Sequence, residues 1–449
     1  MKKQKAIIVG AGPVGSLLAI LLARKGIRVL LLEKRLAAGR PGGTKRSINL
    51  ALSYRGWKAL RSIDAEQELL PLSMPLYGRM THDKDQLASF HPYDDRGRAI
   101  HAIPRDVLND YLLEKVRKEP LIHFYSGREC LQIDINRAQI MTRDTFTGMT
   151  TTESADVIIG ADGVHSLVRQ AIDREEGRNS HLEFSPNSYM ELSLPASVAA
   201  KRLTQDALHI WPRHHRMLIA LPNLDGSFNC TLFMPTTGRD SFDSLTNRRS
   251  WATLFSENFP DMADIIDQPG NDLSRRGYSS LQTVLADAWH SRGKAMVIGD
   301  AARSILPFFG QGMNAGFEDC TILAALLNRS NDWTAILPAF QEMRKKDSAA
   351  ITDLSAHNFE EMASKMADPL FLQRKKLDAH LQKAFPTHWR SLYTMVTFTD
   401  TPYAQALDVS RKQDRLLDEL LLLYPDTASF NNIDLSELLQ TTSPSPLTF

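Results

Sequence analysis

The chain has few cysteines, almost no net charge and no long apolar run. Cys130, Cys230 and Cys320 are its only cysteines and lie far apart in 449 residues. They form no CxxC pair, and an odd number cannot all pair within one chain. This excludes a disulfide scaffold, a dithiol redox centre and a cysteine-rich zinc site, and it fits a reducing compartment, the cytoplasm. The formal net charge is +1, so no global field draws the chain to nucleic acid. No run approaches the roughly 18 apolar residues of a membrane span. LLDELLLLY (416–424) is too short and carries two acids, which predicts an amphipathic helix. The opening MKKQKAIIVG resembles a signal peptide only superficially, because glycines interrupt its apolar run and the first strand needs it. The SPSPLTF tail reads as disordered. Arg344–Lys346 reads as a solvated helix face. His209, His214 and His215 lack metal-ligand spacing, so no metal is expected, and there is no Ser–His–Asp set.

What is present is a set of three glycine-and-carboxylate segments. The first is AIIVGAGPVG (6–15). An apolar strand runs into Gly10, Gly12 and Gly15, and a helix follows. A second strand, Val29 to Leu32, ends at Glu33. The glycines permit a tight turn, close approach to a pyrophosphate and close helix–strand packing, and Glu33 can accept from ribose hydroxyls. The second segment, ADVIIGADGVHSLVR (155–169), is a strand, a turn at Asp162-Gly163 and a helix start. The third, AMVIGDAARSILPFFGQGMN (295–314), is a strand ending at Asp300. Gly310 and Gly312 follow, with Met313 and Asn314 opening a helix. A carboxylate can bind a sugar hydroxyl, and a helix N-terminus favours negative charge. Together these suit FAD, whose ribityl chain and reduced ring need both. No second strand–GxGxxG–helix unit exists, so a nicotinamide donor would dock transiently and not on a dedicated domain.

In this order the segments resemble the fingerprint of the p-hydroxybenzoate-hydroxylase-like, single-component flavin monooxygenases. That likeness implies that the DG motif serves FAD and the nicotinamide cofactor, that GD binds the ribityl chain, and that Arg105 of IPRDVLNDYL lies near the flavin. RSINLALSYRG (46–56), YGRM (77–80), LHIWPR (208–213), ALPNLDGSF (220–228), PFFGQGMNAGFEDC (307–320) and YTMVTF (393–398) resemble the kynurenine 3-monooxygenase branch. This implies NADPH- and O2-dependent hydroxylation of L-kynurenine through a C4a-hydroperoxyflavin, in tryptophan degradation or NAD biosynthesis. By motif, Arg79, Tyr93 and Tyr403 would hold the substrate carboxylate. Asn358 would lie close by, and Ile219, Leu221, Phe233 and Phe308 would enclose the ring. A guanidinium fork suits a carboxylate. One departure is Arg303, where the family usually has the histidine of GDAAH; it adds a permanent charge near the flavin site.

The expected fold is α/β, α+β overall: a Rossmann-like FAD-binding domain with an inserted antiparallel-sheet substrate domain and C-terminal helices. FAD-binding material is assigned to 1–72, 98–184 and 281–333, substrate-domain material to 73–97 and 185–280, and a helical region to 334–449. Alternation in 207–212, 216–222 and 227–235, with a turn at Asn223–Gly226, predicts the antiparallel sheet. Helix spacing predicts helices over 334–366 and 369–385. Other readings stay open at this point: a flavin hydroxylase of another aromatic compound, a flavin oxidase or reductase without hydroxylation, or a non-catalytic FAD-binding partner.

Overall fold

Aliphatic runs bounded by glycine build the first sheet. A computed structural model of the chain describes residues 4–36, 48–85, 87–94, 96–268, 271, 273, 277–364, 369–425 and 429–433. The SPSPLTF tail and the start of the 46–56 segment lie outside them. The six-stranded sheet runs in the order His290–Ser291, Ala295–Val297, Val157–Gly160, Lys5–Val9, Arg28–Glu33, Ile122–Ser126. All pairs are parallel except that of the short edge strand His290–Ser291. Ile7, Ile8, Ile158, Ile159 and Leu31 are fully buried. Burial on both faces explains why these strands read as unbroken apolar runs. Helix Pro13–Arg24 packs on helices Arg105–Lys118 and Gly312–Leu326.

The second large sheet has eight strands: Arg303–Ser304, Ser279–Leu285, His181–Leu194, Phe228–Pro235, Arg216–Pro222, Ala207–Arg213, Gly78–His82, Ala88–Pro92. It is antiparallel apart from one junction, where Gly78–His82 pairs parallel with Ala207–Arg213. That junction brings the 73–97 segment into one sheet with the 185–280 segment. The Asn223–Gly226 turn joins Arg216–Pro222 to Phe228–Pro235 as expected.

Side-chain period two divides this sheet into unlike faces. Trp211, Leu218, Ala220, Cys230 and Leu232 join a core under helix Arg248–Asn258. Ile210, Met217 and Phe233 form a cluster on the other side, with Ile219 packed against it. The same alternation sends Arg79 and His82, three residues apart, to opposite faces.

The C-terminal region is helical: Trp333–Ser364, Pro369–Ala384, Leu392–Phe398 and Tyr403–Leu423. The 416–424 run is the end of the last of these, with Leu416, Leu417 and Leu420 buried and Leu422 and Leu423 exposed. Among the described residues, no helix is long and apolar enough to cross a membrane. All three cysteines are free and buried.

One expectation is corrected. Arg344 is not on a solvated face: it is 2% exposed and pairs with Asp319, Glu318 and Asp347. Lys346, two positions on, is exposed. A charge run does not reveal which turn of its helix faces an acidic neighbour.

His82 stacks on Trp211, with ring centroids 4.2 Å apart, and its Nε2 lies 2.9 Å from Nδ1 of His209. Burial, then the nearby His209 and Arg213, outweigh Asp261 and lower its pKa to about 4. The folded state therefore binds this proton less readily than the unfolded chain. Between the ordinary histidine pKa and about 4 the unfolded chain holds more protons, so stability falls as pH falls through that window. The expected loss is on the order of 3 kcal/mol. Urea midpoints measured down to pH 4 should show it, and His82→Gln should flatten the slope; an unchanged slope in the variant refutes the assignment.

Candidate active site

Three glycine turns converge at the carboxyl ends of the parallel strands. Gly10 has φ +100°, and a Cβ there would stand 2.4 Å from the Ala161 carbonyl oxygen. A Cβ on Gly15 would stand 2.0 Å from the Gly10 oxygen. Both positions exclude any side chain: at Gly10 the backbone following strand Val157–Gly160 fills the space, and at Gly15 the helix touches the end of the first strand. Gly12 differs: nothing lies within 4 Å of its Cβ position. It N-caps helix Pro13–Arg24, and no side-chain cap covers that helix start. That suits a pyrophosphate. Glu33 closes the turn, accepting from Ala11 N at 3.0 Å and from Arg35 N at 3.0 Å.

Asp162 accepts from Leu167 N at 2.8 Å and so helps cap helix Leu167–Glu176. Its Oδ1 is buried without a hydrogen-bond partner, and desolvation raises its pKa. Asp300 is exposed to solvent. Yet it is surrounded by enough protein for desolvation to raise its pKa, against the pull of Arg105 and Arg303. The charge of Arg105, the first residue of its helix, acts on this carboxyl. Gly310 has φ +66°, and Gln311 N-caps helix Gly312–Leu326. Met313 packs on the main core. Asn314 is fully buried and spent internally: Nδ2 donates to Ala51 O at 2.7 Å and Gly310 O at 2.8 Å, and Oδ1 accepts from Ser53 N at 3.0 Å. Its bond to Gly310 holds the turn in shape.

The second sheet contributes an aromatic cluster around one cation. Arg79 Cζ lies 4.8 Å from the Tyr393 ring centroid and 5.6 Å from that of Tyr93. The two tyrosines stack at 4.9 Å. Arg79 forms no ion pair among the described residues, and its Nε and the Tyr93 hydroxyl are buried without a well-formed hydrogen bond. Burial lowers the Arg79 pKa, but Tyr393, Tyr93 and Glu361 raise it overall, so the group stays charged. His91, opposite Arg79 in the strand pair, has its pKa lowered by burial and by that cation. A half-buried guanidinium whose buried Nε is unpartnered is suited to an anion from outside the chain.

Of the residues named from the sequence, the structure brings Arg79, Tyr93, Leu221, Ile219, Phe233 and Phe308 to one side of the sheet. Leu208, level with Arg79, bridges two apolar clusters: one holds Tyr93, with Leu221 and Tyr393 packed against it; the other holds Phe233 and Phe308, with Ile219 against it. Phe233 and Phe308 meet edge to face at 5.0 Å. Asn358 joins this wall by donating to Phe308 O at 2.7 Å. Tyr403 is not brought to the cluster. It is fully buried, Arg55 Cζ sits 4.1 Å above its ring, and its hydroxyl donates to Gln311 Oε1 at 3.0 Å. Tyr393 occupies the place beside Arg79. Its segment, YTMVTF, is conspicuous in the sequence, but nothing in the segment gives the tyrosine a role.

A separate cavity of ≈ 760 Å³ is lined by Arg55, Lys58, Glu318, Arg344 and Asp347 among others. Its charges are largely paired with one another, unlike Arg79.

Comparison with known proteins supports the flavin reading of the first half-site. The profile of the family described as "FAD binding domain" matches residues 3–354. A Flavobacterium psychrophilum protein named kynurenine 3-monooxygenase is 39% identical, covering 94% of both chains. One of the same name from Myxococcus xanthus is 38% identical over 93% of this chain and 91% of its own, and one from Dictyostelium discoideum is 37% identical over 92% of each. Among solved structures, 2-methyl-3-hydroxypyridine-5-carboxylic acid oxygenase superposes with a TM-score of 0.68 at 22% identity, covering 83% of this chain and 96% of that one. Pseudomonas aeruginosa PqsL in complex with 2-aminobenzoylacetate gives 0.66 at 19%, covering 81% and 98%. At those identities the structures speak for the fold alone.

Proposed function

From the premise that this chain belongs to the FAD-binding-domain family, and within it to the kynurenine 3-monooxygenases, we propose that Arg79, Tyr93 and Tyr393 hold the carboxylate of its substrate. The chain is a flavoprotein monooxygenase that hydroxylates L-kynurenine to 3-hydroxykynurenine with FAD and NADPH. The observation that carries the site assignment is the half-buried Arg79, its Nε buried without a hydrogen-bond partner, lying over the stacked rings of Tyr93 and Tyr393. The wall of Ile219, Leu221, Phe233 and Phe308 then receives the aromatic ring and excludes water. Asn358 fixes the backbone of Phe308 in that wall.

FAD fits the first half-site: Gly12 opens space for the pyrophosphate, Glu33 reaches the ribose, and Asp300 and Asp162 present carboxylate oxygens. Bound FAD supplies hydride acceptance from NADPH and activation of O2. The protein's own residues bind, orient and exclude water. We place the enzyme in the cytoplasm, on the strength of three free cysteines. The segments 1–72, 98–184 and 281–333 serve FAD, and 73–97 and 185–280 serve the substrate.

Glu33→Ala and Asp300→Ala are each expected to weaken FAD binding by about 1.5–3 kcal/mol, the loss of a charge-assisted hydrogen bond. Flavin fluorescence titration of the apoprotein reads this directly; wild-type Kd in both variants refutes the assignment. The reaction itself is tested by NADPH consumption with and without L-kynurenine, under 18O2, with mass analysis of product. The expected result is slow oxidation alone, acceleration by L-kynurenine, and one labelled oxygen on the ring. Stimulation without labelled product means an oxidase; labelled product only from another aromatic compound moves the substrate elsewhere.

A further inference from the structure

We infer that Tyr403 is a positioning residue for the flavin-side turn Pro307–Gly312, acting through Gln311, and not a substrate ligand. The inference rests on the reading that this turn borders FAD. Gln311 is 2% exposed and occupies the N-cap of helix Gly312–Leu326. Its carbonyl oxygen accepts the Tyr403 hydroxyl at 3.0 Å in a fully buried setting. An amide with its oxygen so engaged has both N–H donors committed to the opposite direction. The side chain at the mouth of the helix is thereby held in one orientation.

Tyr403 is itself held from behind. Arg55 covers its ring at 4.1 Å, and that guanidinium bonds the Thr401 carbonyl, pairs with Glu318 of the same glycine-loop helix, and reaches Val396 O at 3.5 Å. The backbone N–H of Ala404, the next residue, donates to Asp347 at 3.0 Å. The turn reaches the substrate side as well, because Phe309 stacks on Tyr393 at 5.9 Å. Phe309, Ala315, Ile351, Met395 and Tyr403 form one buried cluster. The C-terminal helices thus grip the turn at Gln311 and the carboxylate clamp at Tyr393. A loosened turn would seat the flavin less firmly and let reduction run without hydroxylation.

The test uses full-length holoenzyme and Tyr403→Phe, Gln311→Met and the double variant. Tyr403→Phe is expected to raise the Kd for FAD about fivefold, the loss of one buried hydrogen bond. It should shift the visible flavin spectrum and lower by at least about threefold the share of NADPH that yields hydroxylated product. KM for L-kynurenine should stay within about twofold. Gln311→Met should reproduce the FAD defect, and adding Tyr403→Phe to it should change Kd by less than about twofold. An equal factor for Tyr403→Phe in both backgrounds overturns the inference. So does a rise in KM with FAD affinity and product yield unchanged, which is the signature of a substrate ligand. If Tyr403→Phe does not fold, a wild-type FAD Kd in Gln311→Met overturns it instead. Should the wild type fail to hydroxylate L-kynurenine, the substrate reading falls, while FAD affinity and spectrum still decide the role of Tyr403.

Discussion

Arg79→Ala is expected to lower kcat/KM for L-kynurenine by a factor between about 30 and several thousand while FAD stays bound. The argument begins with charge. In the proposed site the substrate's α-carboxylate would enter beside Tyr93, Leu221, Phe233 and Phe308. Arg79 is the cation the sheet delivers there, and its buried Nε has no well-formed partner of its own. Truncating one member of a buried charge pair costs about 2–5 kcal/mol, mostly because the other charge is left unpaired. Lysine should rescue poorly. It offers a point charge where the site presents a planar fork, and it loses the stacking of the guanidinium over Tyr393 at 4.8 Å. Tyr393→Phe keeps the stack and removes only a hydroxyl, so it should cost about 1 kcal/mol. Steady-state kinetics on the three variants, with flavin content measured in each, checks the order. Near-normal kcat/KM in Arg79→Ala would remove the clamp from the site.

The parts of this molecule legible in the sequence are those where backbone chemistry dictates residue type. Gly10 and Gly15 had to be glycine because a Cβ would strike the neighbouring backbone. The strands of the parallel sheet are apolar on both faces, and the strands around the Asn223–Gly226 turn alternate. These are local rules, and local rules leave a mark in a single chain. Arg79, Tyr93, Leu221 and Phe233 came through resemblance, and the structure collects them on one face of one sheet. What stayed hidden depended on long-range pairing. Tyr393 and Tyr403 stand ten positions apart, each close to a conspicuous motif, and nothing local says which ring lies under Arg79 and which hydroxyl reaches Gln311. Arg344 lay in a run of three basic residues, and only the helix phase relative to Glu318 and Asp319 puts it inside while Lys346 stays out.

Arg303 is the same lesson in a sharper form, and it leads to the expectation that Asp319→Ala destabilises the fold by about 3–5 kcal/mol. The sequence places a permanent cation, Arg303, three residues after Asp300 of the flavin segment. In the structure that cation is neutralised. Arg303 is 1% exposed and Asp319 is fully buried, with their charged atoms 3.1 Å apart. Ser348 adds a 3.0 Å contact to the guanidinium. Arg344 shares the same carboxylate from the other side at 2.7 Å. Arg55, Arg303 and Arg344 are thus interleaved with Glu318, Asp319 and Asp347, and formal charges balance across the group. The network joins the Asp300 strand end, the glycine-loop helix and helix Trp333–Ser364. It is poised rather than generous, since Nε and one Nη of Arg303 are buried with no hydrogen-bond partner. Burying paired charges gains little; unpairing them costs much. Asp319→Ala leaves Arg303 with no carboxylate in ion-pair contact among the described residues, whereas Arg344 keeps Glu318 and Asp347. Arg303→His should cost less, because Asp319 retains Arg344. A paired replacement, Arg303→Leu with Asp319→Leu, should recover much of the loss by removing both charges together. Urea unfolding of the holoenzyme and apoenzyme separates these outcomes from FAD loss. If Asp319→Ala unfolds at the wild-type urea concentration in both forms, the buried network does not hold the C-terminal helices to the flavin half, and the charge of Arg303 must be neutralised by other means.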